Sequence, residues 1–275
     1  MKNVLLMLFF FVVSSVKAQE ATLDTTLFTA VYDYQLQTLD ADGVSVCDQI
    51  PIAVRIGSHV THCTLFRPAH QEGDVSIEAL MSQEQMHFPQ LWLNYPEGQT
   101  TTHERILPNT FVGIEPTPTQ DWALSPDTLT LAGYLCHAAT TTFRGLTWHV
   151  WYTDEIPSSA GPWKLHGLPG LIVRAESGPH TFTLSRLITE AEPITYSDSP
   201  DFQKMKQSKL TAHKNKVYSD RRYLQQPTYY VPDLLSTVTH VEVFNLKDGS
   251  KAASINGYFL PPTVHVYQPL EKTPK

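Results

Sequence analysis

Residues 161–172 read GPWKLHGLPGLI, and the last six constrain the fold more than any other stretch of the chain. Gly167, Pro169 and Gly170 run directly into the apolar Leu171, Ile172 and Val173. Glycine reaches backbone angles closed to other residues, and proline fixes its own. The stretch therefore predicts a rigid turn feeding a buried strand. Its structural residues are Gly161, Pro162, Gly167, Leu168, Pro169, Gly170, Leu171 and Ile172. None carries a reactive group, so the motif reads as a corner of the fold, not a chemical site.

The rest of the chain reads as strands. Thr26 to Leu39 is rich in residues that favour them, and Asp40 to Gly43 follows as a turn. Ile52 to Phe66 predicts one or two further strands. Leu129 to Phe143 and Leu146 to Thr153 predict a hairpin across Arg144-Gly145, with Phe143 opposite Leu146. In that register Leu135, Ala139, Phe143, Leu146, Trp148, Val150 and Tyr152 share the core face. Cys136, Ala138, Thr140, His149 and Trp151 share the other, because side chains alternate along a strand. Leu171 to Ala175 pairs with His180 to Leu187, and Val238 to Leu246 with Ala252 to Phe259. Helices are expected at Val75 to Met86 and at Pro200 to Gln226. The second has Ser199 as N-cap, Pro200 at its first position and Phe202, Met205 and Leu210 turned inward. The expected fold is mainly β: a single domain over 19–275 with a curved antiparallel sheet, of the half-barrel kind seen in lipoprotein carriers, and one or two helices.

The first residues predict export. Lys2 precedes an apolar run from Val4 to Val13, and Val16-Lys17-Ala18 fits a cleavage site, so residues 1–18 read as a signal peptide cut after Ala18. The run is too short for a membrane-spanning helix, which needs about 20 residues. Loss of Lys2 and Lys17 would take the formal charge from -7 to -9. That balance argues against nucleic acid as a partner. Of the three cysteines, Cys47, Cys63 and Cys136, the first two are the easiest pair by distance along the chain. The basic run from Lys204 to Arg222 reads as a solvated face, its alternative being docking to anionic headgroups.

Several of these segments resemble the GLPGLI family, exported proteins of Bacteroidota. The resemblance lies in Gly133-Tyr134-Leu135-Cys136-His137-Ala138-Ala139, Arg144-Gly145, Ile156-Pro157, Gly161-Pro162-Trp163-Lys164 and Gly167 to Ile172. Tyr267-Gln268-Pro269-Leu270-Glu271 resembles the family's C-terminal ending. Leu146 and His137 depart from the residues common at their positions. The family has no settled biochemical function, so the resemblance implies location and fold more than activity. Its association with outer-membrane import suggests an envelope transporter as partner.

Histidine is abundant, at 12 of 275 residues, and exported Cys/His sites suit copper or zinc. The metal candidates are His59, His62 and Cys63, with Cys136, His137 and His149 from other strands. On a strand His59 and Cys63 would share a face roughly 13 Å apart and His62 would point away, so the cluster needs partners from elsewhere. His166 reads as a surface residue. No G-x-S-x-G, H-E-x-x-H, Walker or G-x-G-x-x-G pattern is present. Asp154 and Glu155 diverge on a strand, and Thr140 in place of Cys136 opposes His149. A hydrolase is therefore the weakest reading. The expected function is non-catalytic binding or accessory work in the periplasm or outside the cell, with a hydrophobic or peptide ligand or an outer-membrane transporter as partner. A copper- or zinc-binding envelope protein is the alternative.

Overall fold

A computed structural model describes residues 19–39, 43–66, 88–106, 109–219, 241–245, 251–255, 258–260 and 266–273, with backbone alone over 241–260. The expected signal peptide at 1–18 and helix at 75–86 lie outside the described residues. The chain is mainly β. In order the strands are β1 (Gln19–Leu39), β2 (Ser45–Gly57), β3 (Thr61–Leu65), β4 (Gln90–Leu93), β5 (Gln99–Ile106), β6 (Asn109–Pro116), β7 (Ala123–Leu131) and β8 (Tyr134–Phe143). There follow β9 (Leu146–Thr153), β10 (Leu171–Ser177), β11 (His180–Ile188), β12 (Pro193–Asp198), β13 (Gln203–Lys206) and α1 (Gln207–Ser219). The three strands β14 (Val241–Asn245), β15 (Lys251–Ile255) and β16 (Tyr258–Leu260) form a separate antiparallel sheet.

The large sheet is open, in the order β13-β6-β5-β4-β3-β2-β1-β11-β10-β9-β8-β7, with β12 beside the first half of β1. Every pairing in it is antiparallel except β13 against β6. Ala30, Tyr32, Tyr34 and Leu36 alternate along β1 and meet Ile50, Ile52, Val54 and Ile56 of β2 in one core. Such period-two alternation is what a sheet with one packed face requires. At Leu27 the pairing with β2 skips a residue, which makes it the extra residue of a β-bulge.

The hairpin across Arg144-Gly145 has the expected register, with Phe143 opposite Leu146 and Thr140 opposite His149. Both turn residues have positive φ, 54° and 74°, the signature of the type I′ turn that matches strand twist. The strand before it begins later than expected. Ala132 and Gly133, at φ 50° and 87°, form another tight turn and split Leu129 to Phe143 into β7 and β8. The ladder to β9 starts only at His137, so the alternation counted back from Phe143 does not reach Leu135. Leu135 is exposed and Cys136 buried, the reverse of the face assignment.

Two further expectations change. The helix begins at Gln207 rather than Pro200, because Gln203 to Lys206 adds a parallel strand to the free edge of β6. Ser199 closes a local turn, its Oγ accepting from the Asp201 N–H. Leu210 packs inward as expected, with Ile106, Phe111, Val217 and Tyr218, while Phe202 and Met205 are half-buried. All three cysteines are free thiols. Cys47 pairs with Gln37, whereas Cys63 pairs with Val54, further along β2 by roughly 23 Å. A disulfide needs Cα atoms within about 7 Å, so strand register keeps this pair apart.

Candidate functional site

The GPWKLHGLPGLI segment is the long connection between β9 and β10, and it turns inward. Ile156, Ala160, Trp163, Leu165 and Leu168 all enter the main core beside Trp148 and Tyr152. Backbone hydrogen bonds brace it: Gly167 N–H to Ser159 O at 2.8 Å and Ile172 N–H to Ala160 O at 3.1 Å. The Tyr32 hydroxyl donates to Ile172 O at 2.7 Å, tying the segment to the centre of the sheet. Two of its glycines are required for different reasons. Gly167 has φ 94°, which a side chain disfavours, and a Cβ on Gly170 would run into the Thr153 carbonyl. Trp163 holds φ 57°, a strained value for a bulky residue, fixed by packing against Phe143 and Trp148.

Lys164, next in line, is 1 % exposed and sits in a cluster of charges. Its Nζ meets Glu115 Oε1 at 2.8 Å and Glu271 Oε2 at 2.9 Å. Arg144 closes the ring with Glu115 Oε2 at 2.6 Å and Glu271 Oε1 at 3.3 Å. Burial pushes the Glu271 carboxyl upward, but Lys164 and Arg144 hold it below the usual carboxylate range. Nearby, Lys214 meets Glu104 at 2.7 Å; burial outweighs that ammonium and raises the Glu104 carboxyl. Buried cations need such partners, since an unpaired charge away from water is very costly. The cluster also pins the C-terminal segment: Lys272 N–H donates to Arg144 O, and Asn215 donates to Glu271 O. Lys164, Glu115, Glu271 and the two terminal nitrogens of Arg144 satisfy one another, while Arg144 Nε has no partner among the described residues and the arginine remains about a quarter exposed, an arrangement that suits a clamp.

A ligand-sized space lies beside the same connection. A groove of about 350 Å³ runs between the β1 bulge, the β2–β3 turn and residues 157–161. That volume falls in the range of small-ligand sites. Its lining includes the exposed Leu27, the half-buried Phe28 and the buried edges of Ile56 and Leu93, together with Pro157, Ser158, Ser159, Ala160 and Gly161. Gly57, Ser58, His59, Thr61, Asn94, Thr117 and His166 also line it. His166 Nε2 lies 2.7 Å from Pro118 O. A carbonyl only accepts, so Nε2 carries the proton and Nδ1 keeps a free lone pair. Burial presses the His166 imidazole below its ordinary value, so the ring stays neutral at pH 7.

The sequence-predicted metal candidates are dispersed. His59 lies in the β2–β3 turn, where its N–H donates to Asp24. His62 stacks on Trp92 at 4.5 Å, while Cys63, next along β3, is buried in the main core on the opposite side. Cys136 is also in that core, His137 contacts Tyr152, and His149 is exposed between Thr140 and Glu176. Among the described residues no group of three or more His, Cys, Asp or Glu side chains is placed to hold a metal ion. Sequence reasoning missed Glu104, Glu115 and the roles of Arg144, Lys164 and Glu271. The one signal was a lysine set between Trp163 and Leu165, since a charge inside an apolar run must find partners.

The sequence model of a family described as "Protein of unknown function (Porph_ging)" matches residues 144–174, from Arg144 of the clamp through the end of the glycine-rich corner. No curated protein matches the sequence. Among solved structures the chain is similar to PNGF-II in two crystal forms. In the C2 form the TM-score is 0.41 at 16 % identity, over 70 % of this chain and 32 % of that one. In the P21 form it is 0.44 at 15 % identity, over 72 % and 34 %. The chain thus spans about a third of the length of that protein.

Proposed function

We propose that this chain is an exported binding or accessory protein of the cell envelope, of the GLPGLI type, that captures a ligand non-covalently in the groove beside residues 157–161. The observation that carries the reading is the groove itself. One wall is the inward-turned connection whose strained Trp163 and close-packed Gly170 are held rigidly in place. A rigid wall loses little entropy on binding, which is the use such a corner has. The predicted signal peptide supports export, cleaved after Ala18, to the periplasm or beyond. The family's association with outer-membrane import supports an envelope transporter as the partner receiving the ligand. No helix among the described residues is long and apolar enough to cross a membrane.

The test is native mass spectrometry with metal analysis on the untagged chain recovered from the envelope fraction. The expected result is a retained organic mass and no stoichiometric metal, with the mass lost on Ser158→Trp, which fills the groove. Recovery of an empty chain overturns the capture reading. Stoichiometric copper or zinc, lost when Cys63 or Cys136 is replaced, replaces it with metal binding.

A further inference from the structure

Cations gather on α1 in a chain where acids prevail. Asp and Glu number 27 against 20 Lys and Arg, so a carboxylate is the commoner neighbour on offer. Lys204 takes one, meeting Asp198 at 2.6 Å, and so does Lys214, meeting Glu104 at 2.7 Å. Lys206, Lys209 and Lys216 do not. All three are exposed, and none forms an ion pair among the described residues.

Their placement is ordered. Lys206 ends β13 immediately before the helix. Lys209, His213 and Lys216 follow at i, i+4 and i+7 of one helix face, within about 60° of one another and over about 10 Å of its length. The buried residues Gln207, Leu210, Thr211, Val217 and Tyr218 lie on the opposite side, and α1 contains no Asp or Glu. Helix stability accounts for only part of this. Lys216 suits the last turn, where the helix end is partly negative. Lys209 stands in the first turn, where the end is partly positive and an acid would be favoured.

The residue types choose between anionic partners. Protein interfaces are anchored by Trp, Tyr and Arg and are poor in lysine. The outward face of α1 offers lysine, with Ser208, Ala212 and Ser219 beside it and no large apolar side chain. Near an anionic membrane each lysine is worth roughly a fivefold gain in binding. Screening over about 10 Å at about 0.1 M salt lets one face act apart from the net charge of the chain.

We infer that the outward face of α1, with Lys206, Lys209 and Lys216, docks the chain on a membrane surface that bears anionic lipid headgroups. The ammonium groups pair with headgroup phosphates, and the helix does not enter the acyl layer. This surface is separate from the groove and does not depend on the capture reading.

The test is co-sedimentation of the untagged chain from the envelope fraction with vesicles of equal parts phosphatidylglycerol and phosphatidylcholine. Vesicles of phosphatidylcholine alone are the control, and calorimetry with an acetylated hexaglutamate peptide probes the protein-partner alternative. The expected result is binding to the mixed vesicles alone, lost between about 0.1 M and about 1 M salt as the screening length falls to about 3 Å. Replacing Lys206, Lys209 and Lys216 together by Gln should weaken it roughly a hundredfold with the Tm unchanged. Lys209→Glu should weaken binding roughly tenfold or more while raising the Tm, because an acid suits the first turn. Arg174→Gln removes a cation from β10 and should leave binding nearly unchanged. Equal binding to neutral vesicles, or an unaffected triple variant, overturns the inference. So does an Arg174→Gln loss as large as that of Lys209→Gln, since net charge would then govern. Binding of hexaglutamate without vesicle binding replaces the membrane with an acidic protein segment, and binding of neither probe also overturns it.

Discussion

A methyl group is enough to test the corner at Gly170. A Cβ there would collide with the Thr153 carbonyl, and both partners are backbone within the sheet. Gly170→Ala is expected to cost about 3 kcal/mol or more, because neither chain can give way, and thermal denaturation reads the loss. Lys164 is testable in the opposite sense, by deletion. Lys164→Met keeps the length of the side chain but leaves Glu115 and Glu271 facing Arg144 alone. Breaking a buried pair in this way costs about 3–5 kcal/mol. Adding Glu271→Gln to that variant should recover part of the loss, since it removes the surplus charge. If the single variant were as stable as the parent, Arg144 alone would be enough to hold Glu115 and Glu271, and the clamp would not depend on Lys164.

At the scale of elements, the turn between β8 and β9 carries two roles at one residue. Arg144 holds a positive φ for the turn and supplies two ion pairs to the clamp. Arg144→Asn separates them, because asparagine tolerates the left-handed conformation but cannot reach Glu115 and Glu271. The register of β8 and β9 is expected to survive in NMR cross-strand contacts, while stability falls by about 2 kcal/mol for the lost charged hydrogen bonds. Elements also differ in how far the sequence declares them. The hairpin across 144–145 was legible because two-residue turns and alternating strands are local patterns, and so was the pairing of β10 with β11, although its turn is tighter than the expected Glu176 to Pro179 because Glu176 and Ser177 join the ladder. The start of α1 was not legible. Ser199-Pro200 reads as a helix start, but the unpaired edge of β6 gives Gln203 to Lys206 a ladder of hydrogen bonds, and that long-range pairing overrides local propensity.

For the whole molecule, pH is the natural lever. Burial presses His103 and His180 to about 4. Burial, aided by Arg55 and His103, presses His62 to about 3. In the unfolded chain each imidazole titrates near 6.5, so below that value the unfolded state takes up protons that the folded state refuses. Stability is therefore complete above about pH 6.5 and falls as pH drops towards 4. For His103 or His180 the gap of about 2.5 pH units is worth roughly 3 kcal/mol at most. Urea midpoints measured from pH 7 to pH 4 should fall steadily, and less steeply for His103→Phe, which keeps the aromatic contact with Trp92 at the same site. His180 binds two distant elements, with the Tyr34 hydroxyl 2.8 Å from Nδ1 and a hydrogen bond to the Pro269 carbonyl; the carbonyl favours the charged ring, so protonation should disturb the Tyr34 contact first.

What the sequence determined by itself was local: a β-rich chain, its hairpins, a glycine-rich corner and an apolar strand after it. These follow from backbone sterics and from side-chain alternation, which act over a few residues. Only the tertiary structure decided that Glu115, Arg144, Lys164 and Glu271 form one clamp, that among the described residues the candidate histidines and cysteines stand apart, and that a groove opens beside residues 157–161. Each of these depends on which strand lies beside which, and strand order is settled by pairing between residues far apart in the chain, where no local pattern reaches.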